Sequence, residues 1–233
     1  MGKNKSIFIA CDTNNIKEVK KIIKETQTNK LRIGYKFGLE FINSKNGRSF
    51  ISKIKNKIIF ADLKLNDIPN TCISTVKAIK DLKVNYLTIH ISSGLEALKA
   101  VKKVSGKIKI VGVTTLTSLD NKNLKQIGYT KSVKNLVAHQ AKLATKANLD
   151  AIVCSAHEVS KIKNIFKKEI ITPGIRLKKN YNDQKRVMTP KKAFKNGSSW
   201  LVMGRSLIKG NINKNINNLI KHLNYWCYQK FVE

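Results

Sequence analysis

Short apolar, β-branched runs recur along the chain at residues 6–11, 31–35, 58–63, 85–91, 108–113, 149–153, 169–172 and 199–203. Between them lie polar, lysine-rich segments whose apolar residues fall at helical spacing, as in Ile16, Val19, Ile22 and Ile23, or Val133, Leu136, Val137, Ala141 and Leu143. Runs that are apolar throughout predict strands covered on both faces, hence a parallel sheet, and regular strand–helix alternation selects an α/β fold. Eight β–α units in 233 residues fit a single (β/α)8 TIM barrel. A six-stranded doubly wound sheet is the competing arrangement, but the first strand is not followed by G-x-G-x-x-G, which disfavours a dinucleotide fold. No Pro/Gly/Ser-rich linker divides the chain, so residues 1–233 are expected to form one barrel domain. The stripe Ile216, Leu219, Ile220, Leu223 and Trp226 predicts a closing amphipathic helix.

The third apolar run leads into the densest chemistry of the chain, Asp62-Leu63-Lys64-Leu65-Asn66-Asp67-Ile68-Pro69-Asn70-Thr71. Alternation along an extended strand would point Asp62 and Lys64 the same way, and Pro69 suits the first turn of a following helix. Two carboxylates and an ammonium within six residues are costly to crowd unless they form a network, and such networks mark functional sites more often than structural ion pairs.

Other polar residues also collect where strands end. Asp12 closes the first strand, Lys36 follows the second, His90 closes the fourth, Thr114 to Ser118 follow the fifth, and Ser155 and His157 follow the sixth. Pro173-Gly174-Ile175-Arg176 follows the seventh and Gly204-Arg205 the eighth, so two of the five arginines end the last two strands. Barrel enzymes commonly hold a phosphate there, with glycine-turn amides, a helix start and a guanidinium fork. A phosphorylated small molecule is the expected substrate. His90 and His157 lack a second His or Cys at ligand spacing, so each reads as a structural residue and no metal site is expected.

The formal net charge of +32 suggests nucleic acid at first sight. Its make-up argues otherwise: 41 Lys stand against 5 Arg, spread along the whole chain, and Lys, Asn and Ile together supply 94 residues, all with AT-rich codons. No zinc-finger spacing, RNP aromatic pattern or basic tail accompanies the charge. The four cysteines, Cys11, Cys72, Cys154 and Cys227, are far apart and lack C-x-x-C spacing, which predicts neither disulfide nor structural zinc. Without a signal peptide or an apolar span, a cytoplasmic protein with no membrane partner is expected.

Phe8-Ile9-Ala10-Cys11-Asp12, Lys36-Phe37-Gly38-Leu39-Glu40, Asp62 to Thr71, His90 to Gly94, Val113 to Ser118, Val153 to Glu158, Thr172 to Arg176, Asn182-Asp183-Gln184 and Met203 to Ser206 lie in order across nearly the whole chain. In these motifs the chain resembles the orotidine 5'-phosphate decarboxylase family, in its short bacterial type. D-x-K-x-x-D alone is shared with sugar-phosphate decarboxylases and synthases of the same superfamily, whereas D-I-P-N-T, L-T-S and P-G-I-R with a later D-Q are far more specific. The resemblance implies a homodimeric barrel that converts orotidine monophosphate to uridine monophosphate and carbon dioxide without metal or organic cofactor. It assigns Asp12 and Lys36 to the ribose hydroxyls and the charge network, Asp62 to the neighbourhood of the substrate carboxylate, and Lys64 to protonation of carbon 6. Asp67 and Thr71 would reach into the partner subunit's site, within a substrate-binding stretch running Asp62, Leu63, Lys64, Leu65, Asn66, Asp67, Ile68, Pro69, Asn70, Thr71. Thr117 would meet the pyrimidine edge, Gln184 would bridge base and phosphate, and Arg176, Gly204 and Arg205 would hold the phosphate, the loop from Leu177 to Thr189 closing over it. Asn66, where many bacterial members have His, Ser93 and Cys72 depart from the usual pattern, and none of them removes an ionisable group of the charge network. The competing readings are a metal-dependent sugar-phosphate enzyme of the superfamily and, from charge alone, a basic nucleic-acid-binding protein.

Overall fold

The computed structural model describes residues 5–177 and 187–229. Eight parallel strands close a barrel in chain order, β1 (Ser6–Ala10), β2 (Arg32–Phe37), β3 (Ile58–Leu65), β4 (Tyr86–His90), β5 (Lys109–Val113), β6 (Ala151–Val153), β7 (Glu169–Thr172) and β8 (Trp200–Met203), with β8 returning to β1. Helix α1 (Ile16–Glu25) follows β1, α2 (Leu39–Ile42) and α3 (Gly47–Lys53) follow β2, α4 (Pro69–Ala78) follows β3 and α5 (Gly94–Val104) follows β4. After β5 come α6 (Asn121–Gln126) and α7 (Val133–Lys146), after β6 α8 (Val159–Ile165), after β7 α9 (Pro190–Lys195), and after β8 α10 (Arg205–Ile208) and α11 (Ile212–Gln229).

All eight expected strands are present, most within two residues of the expected bounds. The differences matter for the chemistry. β2 runs on to Phe37, which brings Lys36 inside the strand rather than after it, and β3 runs on to Leu65, which takes in Lys64 as well as Asp62, already within the expected run. Helix starts follow local chemistry. The Asn15 side chain accepts from the backbone N–H groups of Lys17 and Glu18 to open α1, Ser132 caps α7, and Pro69 opens α4, where a missing N–H costs nothing.

Strand alternation divides the apolar residues into two cores. Ile7, Ile9, Ile59, Ala61, Leu87, Ile89, Ile110, Ile152, Ile170 and Leu201 face outward and pack beneath the helices. Phe8, Phe60, Tyr86, Val111, Ala151, Ile171 and Trp200 face inward and fill the barrel. Phe8 stacks on Trp200 at 4.0 Å between ring centroids and meets Phe60 at 4.9 Å and Tyr86 edge-on at 5.2 Å. Gly34 makes room for that ring, since a Cβ there would lie 2.6 Å from Phe8 Cε1. An aromatic floor therefore closes the barrel, and the inward residues two positions further along each strand form the layer above it.

Phe8→Ala is expected to lower unfolding stability by about 3–5 kcal/mol, the range for emptying a large aromatic site in a close-packed core. Urea denaturation of the two proteins measures it.

Candidate active site

Above the floor the inward residues become polar on one side of the barrel. Period-two alternation carries β1 from Phe8 through Ala10 to Asp12, β2 from Gly34 to Lys36, β3 from Phe60 to Asp62, and β4 from Tyr86 through Thr88 to His90. Of these, Ala10, Asp12, Lys36, Phe60 and Asp62 line a cavity of about 290 Å³ at the C-terminal end of the strands. Asp12, Lys36, Asp62, Lys64, Thr117, Arg176, Gly204 and Arg205, all expected from the sequence, line it together.

The charged groups form a chain. Lys36 Nζ donates to Asp12 Oδ1 at 3.0 Å and lies 3.4 Å from Asp62 Oδ2, and Lys64 Nζ donates to that same oxygen at 2.9 Å. The side chains of Lys36 and Asp62 are each only 12% exposed, against 37% for Lys64 and 60% for Asp12. The inner pair is thus desolvated while the outer two groups open onto the cavity. Burial by itself pushes the Asp62 carboxyl up, but Lys36 and Lys64, with hydrogen bonds from Lys64 and Thr88, hold it below the usual carboxylate value. Burial pushes Lys36 down, and Asp62 and Asp12 more than reverse this, leaving its ammonium pKa raised. His90, half-buried, is lowered by burial and by Lys64, against the opposing pull of Asp62. It therefore stays neutral more readily than an ordinary imidazole.

Lys64 reaches the cavity by a route other than simple alternation. Ala61 pairs with Leu87 and Leu65 with Ile89, so Asp62, Leu63 and Lys64 stand opposite the single residue Thr88. Lys64 takes up the excess with a left-handed backbone, φ +50°. Its amide N–H donates to Thr88 Oγ1 at 2.7 Å.

Several expected residues lie elsewhere. Leu63 and Leu65 pack against the core outside the barrel. Asn66 is exposed and accepts from Ser93 Oγ at 3.1 Å and Ser92 Oγ at 3.4 Å, two residues just past β4. Asp67 is exposed, its Oδ1 accepting from the Ile68 N–H at 2.7 Å, and it does not line this chain's cavity. Ile68 is 66% exposed, Asn70 and Thr71 are exposed, and Pro69 begins α4. Gln184, Asn182 and Asp183 lie outside the described residues, as does most of the segment from Leu177 to Thr189. The neck of that segment is described: Arg176 N donates to Met188 O and Met188 N to Gly174 O, each at 3.1 Å.

Sequence reading passed over the apolar part of the cavity, Ala10, Phe60, Val113, Leu116 and Val153, together with Ser206 and the Thr88 hydroxyl beneath it. For most of them the signal was available, because they stand two positions from residues already singled out. Val202 lines the cavity too. Among the described residues no group of three or more His, Cys, Asp or Glu is placed to hold a metal ion, and no helix is long and apolar enough to cross a membrane. Cys11, Cys72 and Cys154 are buried, and burial pushes the Cys11 thiol up to about 12.

Residues 5–215 match the model of the Orotidine 5'-phosphate decarboxylase / HUMPS family. The orotidine 5'-phosphate decarboxylase of Wolbachia pipientis subsp. Culex pipiens is 43% identical over 208 residues, 86% of this chain and 90% of that protein. The enzyme of the same name from Bacillus cytotoxicus is 38% identical over 220 residues, 88% and 91% of the two chains. Among solved structures, orotidine 5'-phosphate decarboxylase from Lactobacillus acidophilus superposes with a TM-score of 0.81 at 29% identity, covering 95% of this chain and 100% of that one.

Because Asp62 is held below its ordinary value of 3.8, its contribution to stability is complete above that pH and is lost as pH falls through the lower folded value. Asp62→Asn, which leaves two ammoniums facing a neutral amide, is therefore expected to cost about 3 kcal/mol at pH 7. The gap should narrow in acid. Urea titrations of both proteins from pH 7 down to the acid limit of folding measure it.

Proposed function

The chain belongs to the Orotidine 5'-phosphate decarboxylase / HUMPS family, and on that premise we propose that it decarboxylates orotidine monophosphate with Lys64 as proton donor. The reaction is that of its curated relatives, a carboxy-lyase step of pyrimidine synthesis. The single observation that carries the Lys64 assignment is that one carboxylate oxygen, Asp62 Oδ2, is shared by the ammoniums of Lys36 and Lys64 at the edge of the cavity.

Breaking the bond from carbon 6 to the carboxylate leaves an electron pair on a ring carbon with no adjacent sink. The Lys64 ammonium stabilises that pair electrostatically and then delivers a proton to the same carbon, so carbon dioxide leaves and uridine monophosphate forms. Asp62 aims the ammonium, and its repulsion of the substrate carboxylate is relieved as carbon dioxide departs. Lys36 keeps Asp62 ionised and, with Asp12, meets the ribose hydroxyls. Across the cavity Arg176, Gly204 and Arg205 receive the phosphate, Thr117 the pyrimidine edge, and Gln184 bridges the two. Binding energy gathered at the phosphate is thereby available to the distant reacting carbon.

The second half of the reading is a cytoplasmic homodimer with shared sites. Asp67 and Thr71 are exposed and lie off this chain's own cavity, next to an Ile68 that is 66% exposed on the rim. A second copy covering that rim would bury Ile68 and bring Asp67 to the partner's Lys64.

Lys64→Ala is expected to fold normally and to lose decarboxylation by about a thousandfold or more, since electrostatic stabiliser and proton donor go together. The fall in orotidine monophosphate absorbance, followed with purified protein with and without EDTA, measures it. A rate abolished by EDTA would point to the metal-dependent reading.

Mixing inactive Asp67→Ala with inactive Lys64→Ala should restore part of the activity, because one of the two sites in a mixed dimer then has every residue intact. No recovery despite demonstrated subunit exchange would place Asp67 in its own subunit's site.

A further inference from the structure

Thr88 has no part in the reaction as described above, yet it is the residue on which the Asp62–Lys64 couple rests. It is completely buried in the middle of β4. Its Oγ1 accepts the Lys64 amide N–H at 2.7 Å and stands 3.2 Å from Asp62 Oδ1. An amide can only donate, so the hydroxyl hydrogen is free to turn to the carboxylate, which can only accept. Lys64 Nζ meanwhile donates to Asp62 Oδ2 at 2.9 Å. A closed ring results, running from the Lys64 backbone through the Thr88 hydroxyl and both Asp62 oxygens to the Lys64 ammonium.

That ring sits where the strand pairing fails. Three residues of β3 face Thr88 alone, and Lys64 adopts a left-handed backbone that a long side chain disfavours. At such a bulge the ladder leaves an amide unpaired, and the threonine side chain supplies the acceptor that β4 backbone does not. From this geometry we propose that Thr88 is a positioning residue for the decarboxylation, clasping the backbone of the proton donor and the carboxylate that aims it. The inference rests on Lys64 being the donor. Valine matches threonine in shape but offers neither acceptor nor donor, whereas serine offers both.

The groups facing Asp62 are Lys36 from β2, Lys64 from its own strand and Thr88 from β4, with His90 two residues beyond Thr88 and Asp12 beyond Lys36. Removing the hydroxyl takes a donor from the ionised carboxylate and raises its pKa, so the acid limb of kcat/KM moves to higher pH. In Thr88→Val we expect kcat to fall about a hundredfold, as a misplacement near 1 Å would cause, with KM nearly unchanged and the acid limb displaced upward. Thr88→Ser should restore both kcat and the limb. Wild-type kcat and limb in a folded valine variant, a loss confined to KM, or a serine variant as impaired as valine would each overturn the proposal. So would failure of both Thr88→Val and Thr88→Ala to fold, judged by thermal melting, because the hydroxyl would then serve stability rather than position. Wild type and Lys64→Ala run in the same assay separate the two levels, since an active Lys64→Ala would remove the donor assignment itself, whatever the Thr88 variants do.

Discussion

One carboxylate oxygen governs the architecture of this site. Two ammoniums cannot be held near each other inside a barrel without a counter-charge, and Asp62 Oδ2 supplies it to both, at 2.9 Å from Lys64 and 3.4 Å from Lys36. Each strand contributes accordingly. β2 sets Lys36 opposite Phe60, from where its long side chain reaches up to Asp62, β3 must depart from regular pairing so that Lys64 turns back onto the residue two before it, and β4 must place a hydroxyl in the gap. Asp12 closes the chain from β1 at the solvent side, where its greater exposure makes it the easiest member for a ligand to approach.

The fold was largely legible in the chain because a closed parallel barrel makes simple demands. Every strand must be apolar on both faces at its lower end, and the apolar runs of the sequence coincide with the strands for that reason. Period-two alternation then decided which residues look inward, and it accounts for Asp12, Lys36, Asp62 and Gly204 meeting in one cavity, whereas Thr117 comes to it from the turn after β5. Lys64 is the instructive case. Simple alternation put it on the correct side, but the strand is bulged there and the lysine is left-handed, so its direction comes from a pairing irregularity that no pattern of apolar residues reveals. Thr88 was missed for a related reason: attention to strand ends overlooks a polar residue in mid-strand, where threonine is also an ordinary β former.

The rim at Asp67 shows a different limit. Sequence places this residue three positions from Lys64, yet the turn into α4 directs it away from the cavity of its own chain. Proximity along the chain and proximity in the site separate as soon as the backbone leaves the strand. The neighbouring residue Asn66 accepts from Ser93 Oγ at 3.1 Å, a hydrogen bond that ties the turn after β3 to the turn after β4.

The barrel wall also divides the chain into two regimes of molecular drift. Over the whole sequence basic residues outnumber acidic ones by 46 to 14, an excess that solvated helix faces outside the wall tolerate because a long side chain there has few neighbours to satisfy. Inside it, the linked charges remain two lysines against two aspartates, each tied to the next by a contact of 3.4 Å or less. The outer shell can therefore take a further lysine at little cost, while the inner layer is fixed atom by atom. The barrel acts as an insulator between the chemistry of its centre and the mutational climate of its surface.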